Sequence, residues 1–94
     1  MILLSPAAAE DIERLRSFLD TVNPDAAKRA LALIWKAIDR LQDLPALGKP
    51  TEDASIRQII VRFGSSGYVV RYVTVPEAGD ILITRIWHGR EERT

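Results

Sequence analysis

Cysteine is absent from the 94 residues, which excludes a disulfide framework and a thiolate metal site. There is one histidine, His88, and a lone imidazole makes a poor metal site. Neither a metal nor another cofactor is therefore expected. No apolar run approaches the roughly 20 residues that span a bilayer, and the start lacks a charged-then-apolar signal pattern. These absences lead us to expect a soluble chain in a reducing cytoplasm, with no membrane partner. Net charge is also absent, 13 basic residues balancing 13 acidic ones, which argues against a protein that simply coats nucleic acid. A fourth absence is local. Three β-type runs, Ile56–Phe63, Tyr68–Val75 and Ile81–His88, contain no acid, the nearest being Glu77 and Asp80 in a turn between the last two.

What is present fits one small domain spanning residues 1–94, able to bury a core with a stability of about 5–10 kcal/mol. Ile2-Leu3-Leu4 reads as a short strand. Ser5-Pro6 then opens a helix, since serine accepts a backbone N–H and proline suits the first helical position. Ile12, Leu15, Leu19 and Val22 form its apolar stripe, and Glu10 and Asp11 lie near its positive end. Asn23-Pro24-Asp25 repeats the cap, so a second helix begins at once, with the stripe Ala27, Leu31, Ile34, Ile38 and Leu41, and ends at Leu44-Pro45. So short a connection makes the two a helical hairpin. Ala46–Ser55 reads as a loop, Gly64-Ser65-Ser66-Gly67 as a hairpin turn, and Pro76–Asp80 as the next turn. The order β-α-α-β-β-β predicts an α+β domain, the helical hairpin packed on one face of a mainly antiparallel four-stranded sheet.

Alternate strand residues face opposite sides. Parity sets Gln58, Ile60 and Arg62 on one face with Val69, Arg71 and Val73, and with Ile81, Ile83, Arg85 and Trp87. The other face, read as the core beneath the helices, has Ile59, Val61, Val70, Tyr72, Leu82 and Ile86. Arg62, Arg71 and Arg85 should then project together from the side that the helices leave open. Guanidinium groups among apolar residues suit a partner both anionic and partly hydrophobic.

In order, Ser5-Pro6-Ala7-Ala8, Asn23-Pro24, Leu44-Pro45 with Leu47-Gly48-Lys49-Pro50, Gly67-Tyr68-Val69-Val70-Arg71-Tyr72 and Ile83-Thr84-Arg85-Ile86-Trp87-His88-Gly89-Arg90 resemble the RelE/ParE superfamily of bacterial toxins from type II toxin–antitoxin modules, over nearly the whole chain. The resemblance has two functional branches. Members that cleave mRNA on the ribosome need groups to activate a ribose hydroxyl, hold phosphate charge and protonate the leaving oxygen. Where one such pattern has a Lys-x-Lys, this chain has Ile60 and Arg62. A second pattern has a loop Glu and a terminal His-Tyr, for which Glu52 and His88 could stand in while Gly89 replaces the Tyr. Where both patterns have an arginine after the hairpin Gly-Tyr, this chain has Val69. No tyrosine follows Tyr72. An apolar residue at Val69 resembles the ParE branch, whose members are known as inhibitors of DNA gyrase that act without catalysis. The resemblance thus implies a non-enzymatic toxin with no catalytic residue, aimed at DNA gyrase and held in a hetero-oligomer by a cognate ParD-like antitoxin with an acidic amphipathic segment. The alternative is a ribosome-dependent mRNA endonuclease using Arg62, Arg71 or Arg85 for phosphate charge and His88 as acid or base.

The residues expected to meet antitoxin or target are Trp35, Arg62, Arg71, Arg85, Trp87, His88 and Arg90. Each has a plainer reading beside it. Trp35 borders the second helix's stripe and fits a core-edge packer as well as an anchor. Trp87 could stack on a partner or seal the sheet end. His88 suits a strand-end residue bonded to backbone, and Arg90 a solvated tail, although the resemblance makes the terminal segment a contact. Glu52 and Asp53 read as a solvated loop.

Overall fold

The computed structural model describes residues 1–91; the last three residues of the expected domain lie outside it. In chain order the elements are β1 (Ile2–Leu4), α1 (Pro6–Val22), α2 (Pro24–Asp43), β2 (Lys49–Pro50), β3 (Arg57–Phe63), β4 (Ser66–Val75) and β5 (Asp80–His88). They form one mixed sheet in the order β1-β5-β4-β3-β2, parallel between β1 and β5 and antiparallel elsewhere. The α+β class is as expected, but the sheet has five strands. The extra strand, β2, comes from within the predicted loop, where Lys49 and Pro50 pair with Gln58 and Arg57.

Local chemistry explains the elements. The Ser5 hydroxyl accepts the Ala8 N–H at 3.0 Å, capping α1, and itself donates to the Thr84 carbonyl at 2.9 Å. Asn23 ends α1 and starts α2, its side-chain oxygen accepting the N–H groups of Asp25 and Ala26. The β3–β4 turn is Gly64-Ser65, with Gly64 at φ 59°. That left-handed first position matches the type II′ turn that suits strand twist. Among the described residues no helix is long and apolar enough to cross a membrane.

Ala8, Ile12, Leu15, Ala30, Ile34, Ile38 and Leu41 from the helices meet Val61, Tyr68, Val70, Tyr72, Ile81, Ile83 and Ile86 from the sheet. Both helical stripes are therefore as read, except that Val22 is 70% exposed. One strand departs from the parity reading. The β4–β5 register shifts between Arg71, opposite Arg85, and Tyr72, opposite Ile83, so Thr84 is an extra residue in β5. This β-bulge reverses parity N-terminal to it. Ile81 and Ile83 are core residues, not companions of the arginines, and Leu82 takes the open side.

Candidate interaction surfaces

The two long edges of the sheet are treated differently. Along β5, Ile81 donates to the Met1 carbonyl and Ser5 donates to the Ile83 carbonyl. There β1 runs out, and side chains take over. Asp11 Oδ2 accepts the Ile86 N–H at 2.8 Å, Arg14 Nη2 donates to the Ile86 carbonyl at 3.2 Å, and Glu91 Oε1 accepts the His88 N–H at 2.9 Å. Asp11 also receives Arg85 Nε at 2.8 Å and Arg14 Nη1 at 2.5 Å, and Arg14 reaches Glu91 at 2.9 Å. Asp11, only 3% exposed, is thus the centre of an ionic chain. Burial pushes its carboxyl up, but the bonds from Arg85, the Ile86 N–H and Arg14 outweigh that and hold it below its ordinary 3.8. From sequence alone Asp11 reads as a helix-end charge. The available signal was its place in the stripe of Ala8, Ile12 and Leu15.

That network decides the fate of one predicted site residue. Arg85 lies opposite Arg71 on the open face, but its side chain turns round the β5 edge to Asp11. The expected trio of guanidinium groups is therefore a pair plus one that diverges. Two like charges directly opposite repel, and the carboxylate on α1 draws one away. Arg62 and Arg71 remain on the open face. Arg62 is exposed; Arg71 donates to Gln58 Oε1 at 3.2 Å and lies 5.0 Å over the Trp87 ring, a cation–π distance. Arg71, Trp87, Val69, Gln58 and Glu91 line a hollow of about 420 Å³.

His88 and Arg90 belong elsewhere. His88 pairs with Tyr68, a core residue, and its ring meets that of Tyr68 edge-on at 5.3 Å. Its Nδ1 accepts the Arg90 N–H at 3.1 Å. Both residues line a groove of about 540 Å³ whose other wall is α1, with Phe18 56% and Val22 70% exposed. The Tyr68 phenol in this groove is pushed up by burial and by nearby Glu91, which keeps it protonated. Trp35 stands apart on α2, 37% exposed. The seven predicted residues thus divide among the open face, the β5 edge, the α1 groove and α2. Among the described residues no three His, Cys, Asp or Glu side chains gather as a metal site.

The chain, two helices on a mixed sheet, falls in a class of small toxins from type II toxin–antitoxin systems. The sequence model of the family described as "ParE toxin of type II toxin-antitoxin system, parDE" matches residues 2–93, so the chain belongs to that family. It is 37% identical over 92 residues to Toxin RelE1 of Caulobacter vibrioides, covering 98% of this chain and 96% of that one. To Toxin RelE3 of the same organism it is 37% identical over 90 residues, with 96% and 95% covered. A solved structure described as a chromosomal ParDE TA system from P. aeruginosa matches in fold, with a TM-score of 0.73 at 19% identity, covering 93% of this chain and 92% of that one.

Proposed function

We propose that this toxin acts by docking rather than by catalysis, that its target is DNA gyrase, and that a cognate ParD-type antitoxin neutralises it in a cytoplasmic hetero-oligomer. The observation that carries this reading is the separation of His88 from Arg62 and Arg71. A nuclease of the alternative kind needs its acid or base within reach of the groups that hold the phosphate. His88 faces α1 and Tyr68, whereas Arg62 and Arg71 stand on the opposite side of the sheet. Val69, 9% exposed and apolar, occupies the open face at the point where the nuclease branch would have an arginine. The open face offers planar guanidinium groups beside an indole, which suits carboxylates on an amphipathic partner. In the neutralised complex those carboxylates belong to the antitoxin, and on its release the same face meets the target.

The names of the relatives favour the second reading, a RelE-type endonuclease, and one experiment separates the two. Purified toxin is added to a gyrase supercoiling reaction and, in parallel, to ribosomes carrying mRNA. Loss of supercoiling with intact transcripts is the expected result. Cleaved transcripts with gyrase unaffected would overturn the assignment.

A further inference from the structure

Among the described residues, the edge of the sheet opposite β5 has no counterpart to the Asp11 network. β2 covers only Arg57 and Gln58 of the seven residues of β3. Thr51 donates to the Ile56 carbonyl on this outer side. Main-chain direction alternates along a strand, and the β3–β4 register is unbroken, so the N–H and C=O groups of Ile60 and Arg62 also point outward, beyond the end of β2. No described side chain covers them, whereas at β5 the outward groups of Ile86 and the N–H of His88 are each taken up by α1 or Glu91. An uncovered edge reading Ile59-Ile60-Val61, with Ile60 50% exposed, is a template for another strand and an aggregation hazard if left bare.

Beside this edge lies a trough of about 390 Å³ between α2 and the sheet. Ala37, Leu47 and Ile59 give it apolar walls, Arg40 and Lys49 give it charge, and no described acid lines it. Arg40, Lys49 and nearby Arg62 form no ion pair with another described residue, while Arg14 and Arg85 on the opposite edge are both paired. We propose that the free edge of β3 receives an extended acidic segment of the antitoxin as a sixth strand, which rests on the antitoxin reading above. Strand pairing at Ile60 and Arg62 supplies main-chain bonds. Alternate side chains of the segment then fall to the two sides. On one side, carboxylates meet Arg40 and Lys49 and apolar groups enter the trough. On the other, the segment runs beside Ile60 and Arg62.

The test uses the full chain with its full-length cognate antitoxin. Amide exchange of Ile60 and Arg62 is followed by NMR, free and in the complex, and affinity is measured for wild type and for Arg40→Glu/Lys49→Glu, two exposed positions outside the core. Protection of both amides by at least about tenfold on binding, with an affinity loss of about tenfold or more in the double variant at unchanged thermal midpoint, is the expected result. A complex that forms without protecting those amides overturns the strand addition while leaving the antitoxin reading intact, whatever the charge variant does. Failure to form any complex removes both. Protection that appears in the free chain as its concentration rises would assign the edge to a second copy and overturn the proposal.

Discussion

Asp11 sits 3% exposed on a helix face whose neighbours Ala8, Ile12 and Leu15 are all core. A carboxylate there survives because Arg14, Arg85 and the Ile86 N–H give it more than desolvation takes away. Removing it strands those partners. Arg14 and Arg85 are 43% and 51% exposed and can turn to water, so the cost of Asp11→Ala is set below that of a fully buried pair, at about 2 kcal/mol, read from urea denaturation at neutral pH. The pH dependence follows from the direction of the shift. A carboxyl whose folded value lies below its ordinary 3.8 stabilises the fold fully well above 3.8 and loses that contribution as the pH falls through the lower folded value. Asp11→Asn should therefore be less stable than wild type at pH 7 and the gap should shrink on acidification towards pH ~3. A constant gap across that range would mean that the charge at residue 11 does not matter.

The segment between α2 and β3 is pinned at its start by a phenol and a guanidinium. Tyr72, fully buried, donates to the Pro45 carbonyl at 2.8 Å and accepts the Gly48 N–H at 2.8 Å, while Arg57 donates to the Gly48 carbonyl at 2.6 Å. The chain passes so close that a Cβ on residue 48 would stand 2.7 Å from Tyr72 Oη and 2.8 Å from the Gln58 carbonyl oxygen. Gly48→Ala should cost about 1–3 kcal/mol through that overlap. Tyr72→Phe should cost about 1–2 kcal/mol by orphaning a buried N–H. Thermal midpoints measure both, and an unchanged midpoint in either would show that the segment is not fixed there. The same element shows what the sequence could and could not reveal. Ser5-Pro6 and Asn23-Pro24 announce the helices because capping is a local bond between neighbours, and the helical stripes follow from period alone. β2 is a dipeptide next to Gly48, which Tyr72, 24 residues on, and Arg57, nine residues on, hold against β3. The bulge at Thr84 has no glycine to mark it and exists because β5 must place Ile83 and Ile86 in one core. Long-range constraints of this kind leave no short-range trace, and parity alone puts Arg85 on a face from which its side chain departs.

Across the whole molecule, charge is partitioned by the sheet. α1 and the β5 edge enclose a closed ionic chain from Arg85 through Asp11 and Arg14 to Glu91. The open face and the β3 edge carry Arg62, Lys49 and Arg40 without described ionic partners, and Arg71 beside a glutamine and an indole. Internal pairs hold the fold, and the cations without described ionic partners suit the docking proposed above. If docking through the open face is the mechanism, Arg62→Glu/Arg71→Glu should weaken gyrase inhibition by about tenfold or more, equivalent to at least ~1.4 kcal/mol of binding. His88→Gln, altered on the other side of the sheet, should stay within about twofold of wild type because it removes neither charge nor contact from the docking surface. The two variants have opposite meanings for a nuclease, in which loss of the histidine would remove proton transfer worth about 100-fold or more. Inhibition curves for the three proteins, read beside transcript integrity in the ribosome reaction, therefore weigh one side of the sheet against the other. A toxin silenced by His88→Gln and indifferent to the arginine reversals would relocate its chemistry to the α1 groove.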